Sequence, residues 1–561
     1  MITPEAKVNN KTYYVLLAVL GLILVSPVID TKLIPGHDYI FHVSRIEAVA
    51  ESLKNGIFPV YIYVDQFRFW GSPVGIFYPG LFNYIPSLLK LAGIPTEICY
   101  NFYIALIIFL GLFASWYGFT LITRSKQIGL LATTLYISSG YYLFDAFIRN
   151  ALGELLALSF MPLAIACVTH LINKTRISNK LSVLTIISCT AIIESHVLST
   201  AFIGLFSICY MAIHHNKITI RKIKKLVFFA LIIFLINSSF IVPFLVFFKK
   251  VPISVDYVNE FAQSGWDPNT LFNFFVLWNP LLCIALYVFL TRCIFEKKFP
   301  PTMKYKPFSY YIGYFGVGLC FLFLSSSIFP WNFLPPLKEL FKTMQFSWRF
   351  LGQTTIFFSI CGSFGLYLLL KKIKLNSKTL ILLSSVVCIC NFLAFTNLTP
   401  SRHYGNIHEK CYWSRVPFYI NSDTDYLYKG IDINALLKQG NQYITNARIE
   451  NWERNLTNIY FTYETNANDV KITLPLVNYP GYIVFNQAGV RVPIVENNNH
   501  MMVINLPKGT GSITIKYEGL LSFKIANYLS LITSLVLILY LVIQRKRLNK
   551  ISTPQYTVKR S

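Results

Sequence analysis

Long apolar stretches separated by short polar ones run through most of the chain. They lie near residues 12–30, 100–122, 127–143, 152–172, 181–195, 197–215, 227–247, 272–291, 308–329, 350–370, 379–397 and 522–544. Most are long enough to cross a bilayer core as a helix, so the pattern predicts a polytopic α-helical membrane protein of about twelve spans. A further apolar piece, 78–94, is short and interrupted by Pro86. A crossing there would invert the side of every later loop. It is therefore expected to lie at the membrane interface, or to re-enter, beside the segment that begins at Asp38.

Residues 398–521 follow a different period. Asn458-Ile459-Tyr460-Phe461-Thr462-Tyr463, Val470-Lys471-Ile472-Thr473-Leu474, Gly481-Tyr482-Ile483-Val484-Phe485, Met501–Leu506 and Ser512–Tyr517 are short alternating runs set off by Asn, Gly and Pro. They predict an antiparallel β-sandwich large enough to own a core. The expected organisation is thus a transmembrane domain at 1–397 with a large first loop at 31–99, the β domain at 398–521, and a last span with a basic tail at 522–561.

Composition narrows the class. Of 561 residues, 54% are hydrophobic and 13% charged, which suits a membrane protein better than a soluble globule. The net charge of +25 is dispersed in short clusters between apolar runs, a pattern that sets membrane orientation and argues against nucleic-acid binding. Arg124/Lys126, Lys174/Arg176/Lys180, Lys217–Lys225, Arg292–Lys306, Lys371–Lys378 and Arg545-Lys546-Arg547 fall on one side if the twelve spans are counted as above. That side is expected to be cytoplasmic, with both termini; Lys249-Lys250 dissents. The first loop, the turns near 144–151 and 194–197, and the β domain are expected outside. Lys7 and Lys11 precede the first span and no small-residue cleavage site follows it, as in an uncleaved anchor. Most of the eleven cysteines lie in or beside apolar runs, and the β region holds only Cys411, so no disulfide framework is expected.

Candidate chemistry collects on the expected outer side. After the first span comes Gly36-His37-Asp38-Tyr39-Ile40-Phe41-His42-Val43-Ser44-Arg45. On a helix, Asp38, His42 and Arg45 would stack a carboxylate, an imidazole and a guanidinium along one face. Asp38 after Pro35-Gly36 also suits a plain helix cap. Asp65, Arg68 and Trp70 follow in the same loop. Further on stand Asp145 and Arg149, then Glu154 just inside a span, Glu194-Ser195-His196 between two spans, and Trp348-Arg349 at the start of another. Taken singly, Glu154, Glu194 and His196 read more often as satisfied structural residues than as catalysts. Together on one face, such costly groups point to a shared cavity.

These motifs resemble, in order along nearly the whole chain, a large bacterial family labelled 6-pyruvoyl-tetrahydropterin-synthase-related, grouped with YfhO-like members of the GT-C glycosyltransferases. Carrying the likeness are Gly36-His37-Asp38 with Phe41-His42, Arg149 to Glu154, Glu194-Ser195-His196, Phe346 to Phe350, Tyr479-Pro480-Gly481-Tyr482 and Pro507-Lys508-Gly509. The resemblance implies transfer of a sugar from a polyprenyl-phosphate carrier to a cell-envelope acceptor at the outer face of a bacterial plasma membrane, with Asp38 as base and His42 beside it. Arg45, Arg149 and Arg349 would meet the donor phosphate. His37, Tyr39, Trp70, Asp145, Glu154, Glu194, His196 and Trp348 would line the substrate. Many GT-C enzymes carry paired acids in the first loop; here His37-Asp38 stands instead, so metal dependence stays open and no other cofactor is called for. The alternatives are a transporter or flippase for lipid-linked saccharides, and a non-enzymatic envelope assembly protein.

Overall fold

The computed structural model describes residues 9–29, 36–64, 69–174, 177–253, 264–267, 280–295, 308–341, 344–372, 377–398 and 426–552. Asp65, Arg68, Cys411 and the basic stretch 297–306 lie outside these residues.

Helices fill the chain to residue 398. Leu152–Asn173 is the central one: its apolar window is entirely buried, and it packs against Thr96–Thr123, Asn179–Ile193 and Val197–Ile213. Phe350–Lys372 packs against Pro280–Phe295, Phe308–Ser325 and Lys126–Ile137. Among the described residues four helices are long and apolar enough to cross a membrane, at Thr96–Thr123, Leu152–Asn173, Ser347–Leu370 and Leu521–Gln544. Every apolar stretch of the sequence contains helix, but several are short. The stretch 227–247 departs from expectation, because Ile220–Ile236 and Ser238–Lys250 meet at an 81° bend. Asn237-Ser238-Ser239 supplies the break: Asn237 is fully buried and donates from Nδ2 to Ile233 O at 2.6 Å and to Thr190 Oγ1 at 3.2 Å. Local side-chain bonding of this kind competes with the helical ladder.

The piece expected at the interface forms a short helix, Tyr84–Leu91. Ser87 Oγ donates to Ile46 O at 3.0 Å, tying it to the helix Tyr39–Lys54, while Leu81, Ile85, Leu88 and Leu91 point outward. That row of exposed apolar residues follows a helical spacing, as an interfacial helix requires.

The C-terminal region is a β domain of two four-stranded antiparallel sheets, ordered β1-β4-β7-β6 and β2-β3-β8-β5. The strands are β1 Ile444–Thr445, β2 Arg448–Asn455, β3 Asn458–Thr465, β4 Val470–Val477, β5 Tyr482–Asn486, β6 Ile494–Glu496, β7 Met501–Leu506 and β8 Gly509–Tyr517. Ile472, Leu474 and Ile504 of one sheet share a core with Phe461, Ile513 and Ile515 of the other. The first loop enters the same core through Ile62, Val64, Trp70, Ile76 and Phe77. Leu521–Ser552 then returns along Ile220–Ile236 and Ser238–Lys250, where Ser238 Oγ donates to Ala526 O at 2.7 Å. Only 6% of its apolar window is covered by protein, leaving a surface suited to lipid.

Candidate functional site

Arg149 is the hub. It ends a single turn of π-helix, Asp145–Arg149, whose wide winding brings Asp145 Oδ1 to 2.5 Å from Arg149 Nη1. The same nitrogen donates to Glu154 Oε2 at 3.0 Å. Arg149 Nη2 faces Asp38 Oδ2 at 3.9 Å, and the guanidinium lies 4.7 Å over the Trp348 ring. Glu154 also receives the Tyr141 hydroxyl on Oε1 at 2.6 Å and Arg349 Nε at 3.7 Å on Oε2. Arg349 in turn donates from Nη1 to Met344 O at 2.8 Å and Gln345 Oε1 at 3.2 Å. Residues about 200 positions apart in sequence thus meet around one buried cation.

Asp38 sits on this hub and not on its own helix. It occupies the N-cap position of Tyr39–Lys54 but makes no capping bond with its side chain, which is 43% exposed. The backbone holds it in place: Asp38 N–H donates to Arg149 O at 2.7 Å and His37 N–H to Ile148 O at 3.2 Å. The expected stack of Asp38, His42 and Arg45 is not formed, because the helix begins one residue after Asp38. Its carboxylate turns to Arg149, while His42 and Arg45 point inward.

Arg45 is buried and donates from Nη2 to Pro79 O at 2.7 Å, with its guanidinium 4.3 Å over the Tyr78 ring. His42 packs edge-on against Tyr78 at 5.8 Å. Both border a water-sized cavity with Asn83, Glu194 and Ser195. Burial, reinforced by Arg45, His196 and Arg149, holds His42 well below the usual imidazole range. His196, in the turn between two helices, is pushed down to about 4 by burial, and its Nδ1 lies 2.9 Å from Ser199 Oγ. Burial raises Glu194, in the same turn, to about 8.

Three expected substrate contacts take other positions. Trp70 is 3% exposed, and its indole N–H donates to Gly440 O at 3.0 Å. It anchors the first loop to the β domain and offers no free face. Tyr39 is buried edge-on against Tyr100 at 5.1 Å. Asp145 is fully buried with its carboxylate on Arg149. Burial, then neighbouring Glu154, raises its carboxyl, with Arg149 opposing. His37 is exposed beside Asp38, and Trp348 keeps part of its ring open among Tyr141, Phe144 and Phe346.

Sequence reasoning assigned no role to Tyr141, Tyr78 or Asn150. Asn150 lay inside a quoted motif, whereas Tyr141 and Tyr78 carry no signal that separates them from the other aromatic residues. The described donors around Asp38 do not suit a divalent metal: no three His, Cys, Asp or Glu side chains among the described residues are placed to hold one, and the three carboxylates that meet here, Asp38, Asp145 and Glu154, surround the Arg149 guanidinium.

No family model matches the chain, and no curated protein matches it. Among solved structures it is similar to the crystal structure of ArnT from Cupriavidus metallidurans bound to undecaprenyl phosphate. The match has 12% sequence identity and a TM-score of 0.34 and covers 69% of this chain and 78% of that chain.

Proposed function

We propose that the chain is a GT-C-type membrane glycosyltransferase, moving a sugar from a polyprenyl-phosphate carrier to a hydroxyl-bearing acceptor of the cell envelope at the outer membrane face. The observation that carries this reading is Asp38: a half-exposed carboxylate, unused as a cap, held 3.9 Å from a buried guanidinium. The resemblance of its motifs, in order along the chain, to those of GT-C proteins supports it.

In this scheme Asp38 takes the proton of the acceptor hydroxyl as its oxygen bonds the anomeric carbon. The bond from that carbon to the phosphate oxygen breaks, and charge develops on the departing lipid phosphate. Arg149 and Arg349, fixed by Glu154, supply positive charge there without reorganisation. The open part of the Trp348 ring offers an apolar platform for sugar or isoprenoid. In this reading the termini lie in the cytoplasm and the first loop and the β domain stand outside, where a lipid-linked donor replaces the nucleotide sugars confined to the cytoplasm. One observation favours a second reading, a proton-coupled transporter of lipid-linked saccharides: the buried Asp145–Arg149–Glu154 cluster at a span end.

The test is label transfer from radiolabelled undecaprenyl-phosphate sugars to an envelope extract, with purified wild type beside Asp38→Asn. Transfer by wild type, reduced by about 10²-fold or more in the variant, is expected. Undiminished transfer by the variant removes Asp38 as the base. Absence of transfer by wild type, with saccharide flux in vesicles, establishes the transporter.

A further inference from the structure

Two separate chain segments must be registered to set the Asp38–Arg149 spacing, and one side chain joins them. Asn150 follows the π-turn with φ +58°, a left-handed conformation that glycine and asparagine adopt most readily. Its Oδ1 accepts the Gly36 N–H at 2.6 Å, and its Nδ2 donates to Ala146 O at 2.8 Å. The amide therefore bridges the start of the first loop to the turn that carries Arg149. The backbone bonds from His37 to Ile148 O and from Asp38 to Arg149 O continue the same seam. Gly36 is matched to it: a Cβ there would fall 2.2 Å from Asn150 Oδ1 and 2.5 Å from Ile148 O.

We infer that Asn150 is a positioning residue, a latch that fixes Asp38 against Arg149 without touching substrate. Backbone conformation alone would be satisfied by glycine. The side-chain amide is what the latch uses, and that separates the two roles. The kinetic part of this inference rests on the glycosyltransferase reading; the structural part does not.

The experiment compares full-length wild type, Asn150→Gly and Asn150→Asp by amide hydrogen exchange over residues 36–42 and by transfer kinetics. Asn150→Gly fits the left-handed backbone and removes both amide bonds, while Asn150→Asp keeps the acceptor for Gly36. The Gly36 and Asp38 amides are expected to exchange at least ~10-fold faster in the Gly variant and to recover protection in the Asp variant. Turnover is expected to fall about 10–100-fold in the Gly variant with KM little changed, as a misplaced catalytic group produces. Unchanged exchange at 36–42 overturns the latch, and so does protection lost evenly across the chain, which marks a merely structural residue. A wild type without transfer overturns the functional reading instead, and exchange still decides the latch.

Discussion

Tyr141 donates its hydroxyl to Glu154 Oε1 at 2.6 Å, deep among buried side chains. With Arg149 and Arg349 on Oε2, both carboxylate oxygens are engaged. Glu154 is therefore the carboxylate that the two arginines share. Glu154→Gln leaves Arg149 with Asp145 and takes from Arg349 its carboxylate at 3.7 Å, and is expected to cost about 3–5 kcal/mol. Tyr141→Phe removes one bond to a carboxylate that keeps its arginines, at about 1–3 kcal/mol. Unfolding midpoints of both variants in detergent check the order. A Tyr141→Phe loss equal to that of Glu154→Gln would refute this assignment.

The two arginines are not equivalent. Arg149 uses one nitrogen on two carboxylates and turns the other to Asp38, whereas Arg349 is anchored mainly to Met344 O and Gln345. A lysine ammonium cannot reproduce the forked geometry at Arg149. Arg149→Lys is expected to lower transfer at least ~10-fold more than Arg349→Lys. Equal losses in side-by-side turnover measurements would contradict the hub role of Arg149.

His42 carries a pH signature. Its imidazole is held neutral in the folded protein by burial and by the nearby positive charge of Arg45 and Arg149. The unfolded chain takes up a proton near the ordinary value, about 6.5. The folded value is depressed, so this contribution to stability is present above about pH 6.5 and is lost as pH falls below it. His42→Gln removes the titration, so the gap in melting temperature between pH 7 and pH 5 should be smaller in the variant than in wild type. An unchanged gap would show that His42 is accessible to protons in the fold.

The legible parts of this protein were those with a strong period. Apolar runs mark the helices, and the alternation from Asn458 to Tyr517 marks five of the eight strands. β2 escaped because Arg448–Asn455 has a half-exposed, largely polar pattern without an apolar run. Asp38, Arg149, Glu154 and Arg349 were legible as ionisable groups beside apolar runs. Their partners were not, since spacing along a helix predicts contacts only if the helix has already begun, and Asp38 stands just before it. Trp70 and Tyr39 show the matching limit: aromatic residues near a site have the same sequence signal whether they face a ligand or a core.

The last expectation concerns Gly153. It lies in Leu152–Asn173 where that helix crosses Tyr78 and the 194–196 turn; a Cβ there would fall 2.3 Å from the Tyr78 hydroxyl and 2.7 Å from Ser195 O. Glycine to alanine in an exposed helix interior stabilises by roughly 1 kcal/mol. Here the added methyl pushes Tyr78, which carries Arg45 on its face, away from the helix that carries Glu154. Gly153→Ala is thus expected to destabilise by about 1–3 kcal/mol, the opposite sign. Adding Tyr78→Phe removes the hydroxyl collision but leaves the ring Cε1 at 2.9 Å and the Ser195 carbonyl, so the double variant should recover part of the loss. Detergent unfolding of the single and double variants measures both steps. A Gly153→Ala protein as stable as wild type would mean that the helix and the turn are not in contact at this crossing.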